Sequence, residues 1–186
     1  MDRFSRESII QDVLDMGFSH AGLADVGTLK PLEAVREMCA VDKCHAYGKN
    51  WSCPPGCGTI PECEAEMRSY DWGVLVQITQ DLEDDLDFEG WKEAGKRLRD
   101  LSVSLHEELV KRYPQVLALG GAGCDICKTC TYPDAPCRFP EKRMSGMEGY
   151  GLVVSDVCRD NGLQYYYGPG TITYTGLFLV KEPENE

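Results

Sequence analysis

Apolar residues at Ile9, Ile10, Val13, Leu14 and Met16 recur at the spacing of one helical face and stop at Gly17. That pattern predicts an amphipathic helix over 5–16 with a glycine end. A short strand, His20 to Ala24, follows. Pro31 suits the first turn of a second helix, which runs to about Met38 and delivers Cys39 at its end. Periodicity then vanishes as far as Gly58, and Gly48, Pro54, Pro55 and Gly56 mark a long irregular loop. Thr59 and Glu62 have the spacing of a capping box with Pro61 in the first turn, so a helix from about Ile60 to Ser69 carries Cys63.

Trp72 to Ile78 is the kind of apolar run that a strand buried on both faces requires. After an acidic loop, Trp91, Ala94, Leu98, Leu101, Leu105 and Leu109 step by three or four along a long helix, which Pro114 ends. Gln115 to Leu119 returns as a strand, and strand, helix, strand fits a parallel crossover. Gly120, Gly121, Ala122 and Gly123 then lead into a run of cysteines. Ser145 and Glu148 have capping-box spacing and predict a helix ending at Asn161 and Gly162. Leu163 to Tyr167 and Thr171 to Val180 read as two closing strands around Gly168-Pro169-Gly170. The expected architecture is one α/β domain over 1–186. A mixed sheet is flanked by helices and carries two cysteine-rich loops, 39–63 and 124–140.

The formal net charge of -12 argues against nucleic acid, whose binding needs concentrated Lys and Arg. Residues 1–10 lack the apolar core of a signal peptide and no stretch reads as a membrane span, so a cytoplasmic protein is expected. In that reducing setting, ten cysteines read as metal ligands rather than disulfides. The reading extends to an anaerobic or low-oxygen cell, with a redox partner protein.

The second cysteine group is Cys124-Asp-Ile-Cys127-Lys-Thr-Cys130, then Cys137 after six residues. Two successive two-residue gaps match the first three ligands of a ferredoxin run. A cubane presents separate iron corners to such closely spaced thiolates, whereas zinc gathers four ligands on one point, usually as two separated pairs. A four-iron cluster is favoured over zinc. The ferredoxin run continues after three residues, so whether Cys137 closes this cluster or serves another stays open, with local closure preferred.

The first group is Cys39, Cys44, Cys53, Cys57 and Cys63, centred on Tyr47-Gly48-Lys49-Asn50-Trp51-Ser52-Cys53-Pro54-Pro55. Tyr47 and Trp51 are placed to shield a cluster from water. The metal-site candidates are Cys39, Cys44, Cys53 and Cys57, with Cys124, Cys127, Cys130 and Cys137, for two 4Fe-4S clusters. Cys57, Cys63 or an open iron are the alternatives at the fourth position of the first site.

These motifs resemble the predicted metal-binding proteins grouped as domain of unknown function 2284. The resemblance rests on Cys39, Cys44, Tyr47-Gly48 and Cys53-Pro54-Pro55, and on Cys124, Cys127, Cys130 and Cys137-Arg138-Phe139-Pro140-Glu141 with the following Ser145 to Gly151. It implies metal binding through those seven cysteines, with no assigned reaction. Cys57, Cys63 and Cys158 fall outside the motif.

The expected function is electron relay by two clusters to or from a partner enzyme. The rivals are an iron-sulfur enzyme with an open iron and a zinc-stabilised binding module. Cys158, beside Val154 and Val157, reads as core. Among the histidines only His45, next to Cys44, is a candidate donor near a cluster. Asp84-Asp85 and Glu107-Glu108 read as solvated faces. Gly120 to Gly123 lacks the residues of a phosphate loop and would let backbone amides approach a cluster.

Overall fold

The computed structural model describes residues 3–84, 86–120 and 123–184. The expectations for Asp85, Gly121 and Ala122 lie outside the described residues. The elements are α1 (Ile9–Met16), β1 (His20–Ala24), α2 (Glu33–Ala40), α3 (Ile60–Arg68), β2 (Trp72–Asp81), α4 (Phe88–Arg112), β3 (Gln115–Gly120), β4 (Ser145–Gly146), α5 (Val154–Asp160) and β5 (Thr171–Lys181). Single-turn helices cover Val26–Thr28 and Glu148–Tyr150. The protein is α/β: a five-stranded mixed sheet flanked by helices, as the hydrophobic pattern predicts.

Strand order is β1-β2-β5-β3-β4. Both β2 and β3 run antiparallel to β5, which makes them parallel to each other with β5 between them. The crossover through α4 is therefore parallel, but its strands are not neighbours. Alternation along β2 and β5 builds two cores. Val74, Val76, Ile78, Phe178 and Val180 face α1 and α4, whereas Leu75, Leu177 and Leu179 face α3, α5 and the loops.

The capping box at Thr59 is present: the Glu62 amide donates to Thr59 Oγ1 at 3.4 Å, and the Thr59 amide donates to Glu62 Oε2 at 2.7 Å. The helix expected from Ser145 is not continuous. Ser145–Gly146 pairs with β3, a single turn follows, and only Val154–Asp160 is α-helical. Gly151, with φ of 77°, breaks the path. The strand expected over 163–167 is also absent. That segment is held by side chains: Gln77 Nε2 donates to the Gln164 carbonyl at 2.8 Å, and Tyr167 donates to Gln77 Oε1 at 2.8 Å while stacking on His20. Polar Gln77, buried in a central strand, has its hydrogen bonds made by this loop, as a buried amide requires.

Candidate metal centres

The loops leaving the parallel pair β3 and β4 meet the loop between α2 and α3, and the two cysteine groups converge at this meeting. Cys39 lies in the last turn of α2, with its sulfur 3.8 Å from the Glu148 carbonyl. Residues 41–58 have neither helix nor strand and are shaped by local bonds. The Tyr47 amide donates to Asp42 Oδ1 at 2.9 Å, and the Gly48 amide to the Pro54 carbonyl at 2.8 Å. Asp42 and His45 take left-handed φ of 55° and 57° around exposed Cys44. His45 accepts from Lys49 through its carbonyl, at 2.8 Å.

Cys39, Cys44 and Cys53 line one cavity of about 370 Å³, together with Tyr47 and the backbone of Gly149. Burial raises the Cys39 thiol pKa, and the neighbouring Glu148 charge adds to it. Cys57 is not among the side chains lining this cavity. Its sulfur meets the Gly149 carbonyl at 3.4 Å, and the residue is buried in the core beside Cys63. Cys63 Sγ lies 3.4 Å from the Cys57 carbonyl and accepts from Arg36 Nη2 at 3.5 Å. The hydrogen bond from Cys57, reinforced by the Arg36 charge, lowers the Cys63 pKa to about 7 and drives that of Cys57 upward.

Cys124, Cys127, Cys130 and Cys137 all line a second pocket, with Trp51 and Ser52 from the first loop in its wall. The six-residue gap before Cys137 is thus compatible with a shared local site. Trp51 is an anchor here rather than a shield for the first group. Its Nε1 donates to the Ala135 carbonyl at 3.0 Å, its ring meets Tyr132 edge-on, and its carbonyl accepts from Arg143 at 3.0 Å. The pocket encloses about 20 Å³, room for one or two waters. A larger occupant needs more room than this pocket shows, and residues 123–144 around it form neither helix nor strand. Burial also raises the pKa of Cys124.

Ser52 joins the two sites. Its hydroxyl accepts from the Cys124 amide at 3.1 Å, donates to Asn50 Oδ1 at 2.7 Å and lies 4.0 Å from Cys53 Sγ. Nothing in the local sequence marks Ser52, because its role comes from a contact 72 residues away. Cys158 is fully buried against Gln77 and Thr175, as a core residue. Among the described residues no three His, Cys, Asp or Glu side chains converge closely enough to hold a single metal ion. No helix described is long and apolar enough to cross a membrane.

The fold and site together define a cysteine-rich α/β protein with two adjoining thiol-lined pockets. The chain belongs to the family of predicted metal-binding proteins of unknown function, domain 2284, whose model matches residues 24–180. No curated protein and no solved structure matches it.

Proposed function

We propose that this protein is a two-centre iron-sulfur protein in which Cys124, Cys127, Cys130 and Cys137 hold a closed cluster. Cys39, Cys44 and Cys53 hold a second cluster that keeps one position for a small substrate. The observation that carries this reading is the division of the thiols: four line one narrow pocket of about 20 Å³, while three line a wider cavity of about 370 Å³. The donor chemistry fits, because thiolates are the usual protein ligands of such clusters. A mononuclear zinc site would need four ligands about 2.3 Å from one point. The spread of the thiols around cavity walls supports a polynuclear occupant instead.

When bound, such clusters supply single-electron transfer, and an iron without a cysteine can also bind a small molecule. The chain's own contribution is positional. Ser52 holds the Cys53 and Cys124 backbones together, and the wider cavity admits solute beside Cys44. The second reading, outer-sphere relay to a partner protein, is favoured by exposed Ile126 and Phe139 at the rim of the narrow pocket, an apolar edge suited to transient docking. Anaerobic purification tests the common ground. The protein is expected to be brown and to contain iron and acid-labile sulfide in nearly equal amounts. A colourless preparation with stoichiometric zinc overturns it. Added thiol or cyanide should then change the visible spectrum if the first centre is open, and leave it unchanged if the protein is a saturated relay.

A further inference from the structure

Beside the core-facing stripe of α4, residues stepping along its next face line a groove of about 670 Å³, bounded by Tyr174 of β5. That size lies within the ordinary range of small-molecule sites, about 300–1,000 Å³. The wall comes from α4 and β5 alone; among the described residues no cysteine and no part of 123–144 belongs to it.

Two features of this wall are unfavourable for a surface helix and unexplained by folding. Phe88 is 56% exposed, a large apolar ring set edge-on to Trp91 with 5.1 Å between centroids. Lys92 and Lys96 bring like charges together at a four-residue spacing, which destabilises a helix. Among the described residues neither lysine is in an ion pair. Between them stands Gly95, an unfavourable residue inside a helix. The Tyr174 ring lies 3.7 Å from where a Cβ on Gly95 would be, so the glycine lets a third aromatic surface come close to the helix.

Charge selects the occupant. Arg99 also lines the groove but is ion-paired to Asp125, so the free cations are the two lysines. No carboxylate lines the groove among the described residues, in a chain whose formal net charge is -12. A positive groove walled by aromatic rings, on an otherwise acidic protein, suits a ligand that is flat at one end and negative at the other. Aromatic side chains stack on planar heterocycles, and lysine ammonium groups pair with phosphate. We propose that this groove binds a mononucleotide, its base or flavin ring against Phe88, Trp91 and Tyr174 and its phosphate between Lys92 and Lys96.

Calorimetric titration of the anaerobically purified protein with adenosine 5′-monophosphate and flavin mononucleotide tests the site. Adenosine, riboflavin and inorganic phosphate serve as the separate halves of these probes. At least one mononucleotide should bind saturably at one site, about tenfold or more tightly than either of its halves, and the one that binds identifies the ring. The double variant Lys92→Gln/Lys96→Gln changes two exposed positions. It should weaken binding about tenfold and flatten its salt dependence. Its melting temperature should stay or rise, because a like-charge pair is removed. Phe88→Ala should weaken binding by a similar factor, the scale of one stacking contact. The proposal is overturned if neither mononucleotide binds saturably, or if either variant binds as the native protein does. It is also overturned if phosphate alone, or the ring without phosphate, binds as tightly as the whole. Neither variant touches a thiol, so these outcomes are independent of what the cysteines hold.

Discussion

Cys57 lies four residues beyond Cys53, yet its sulfur packs behind the Gly149 backbone while Cys53 lines the wider cavity. Spacing alone made Cys57 a credible ligand, because the element that separates it from its neighbours comes from 92 residues further along the chain. Cys57→Ala is accordingly expected to leave the iron content and visible spectrum unchanged, whereas Cys53→Ala should lose the first centre. Iron analysis of the two variants decides it. The substitution should cost about 1–2 kcal/mol of stability, in the usual range for a buried side chain. It should also change how stability depends on pH. Cys63 is held at about 7 against an ordinary 9.0 by the Cys57 hydrogen bond and Arg36, so its thiolate contributes fully above about pH 9. That contribution is lost as pH falls through about 7. Denaturant titrations across this window should show stability rising with pH in the native protein and a shallower rise in Cys57→Ala.

At the scale of elements, the turn after β4 packs between α3 and the start of α2, the helix that carries Cys39. A Cβ on Gly151 would lie 2.5 Å from Ile60 Cδ1 and 3.1 Å from Leu32 N and O, in a backbone with φ of +77°. Leu32, which leads into α2, donates its amide to the Gly151 carbonyl at 2.8 Å. Gly151→Ala must push α2 and α3 away, and α2 carries Cys39 in its last turn. The expected result is a loss of about 1–3 kcal/mol, typical of a strained backbone position. Iron content should fall toward half as the first centre fails and the second persists. The same turn explains what was legible beforehand. β1 and the Thr59 capping box follow from local spacing and are found where expected. The helix predicted from Ser145 is interrupted because β3 recruits Ser145–Gly146 as a strand and Gly151 sets the following chain on a new course. Tyr165 to Tyr167 has strand composition but no strand, since Gln77 and His20 hold it from a distance. Tertiary partners of this kind leave no trace in a local pattern.

For the molecule as a whole, sheet order sets the distance between the two sites. β5 inserts between β2 and β3, while β3 and β4 run parallel and release their loops side by side. Gly123 on the loop after β3 and Gly146 in β4 both line the first cavity, although Gly123 directly precedes the second cysteine group. A Cβ on Gly123 would lie 3.7 Å from Cys53 Sγ, and Ser52 touches both groups. Along the chain a strand-helix-strand unit separates the two cysteine groups, whereas the fold makes them neighbours that line different pockets. These two facts have different experimental signatures. With the ligand sets proposed above, Cys127→Ala should remove one centre and leave the other, so that about half the iron remains. Contact through Ser52 means that, with both centres loaded and reduced, their unpaired electrons should interact and split or broaden the low-temperature paramagnetic resonance spectrum. In Cys127→Ala the surviving centre should show a simple spectrum. Ser52→Ala, which keeps every thiol but frees the Cys124 amide, should retain full iron content and alter the interaction. A native spectrum equal to the sum of two isolated centres would place the groups farther apart than this fold does, and loss of all iron in Cys127→Ala would make them ligands of one shared centre.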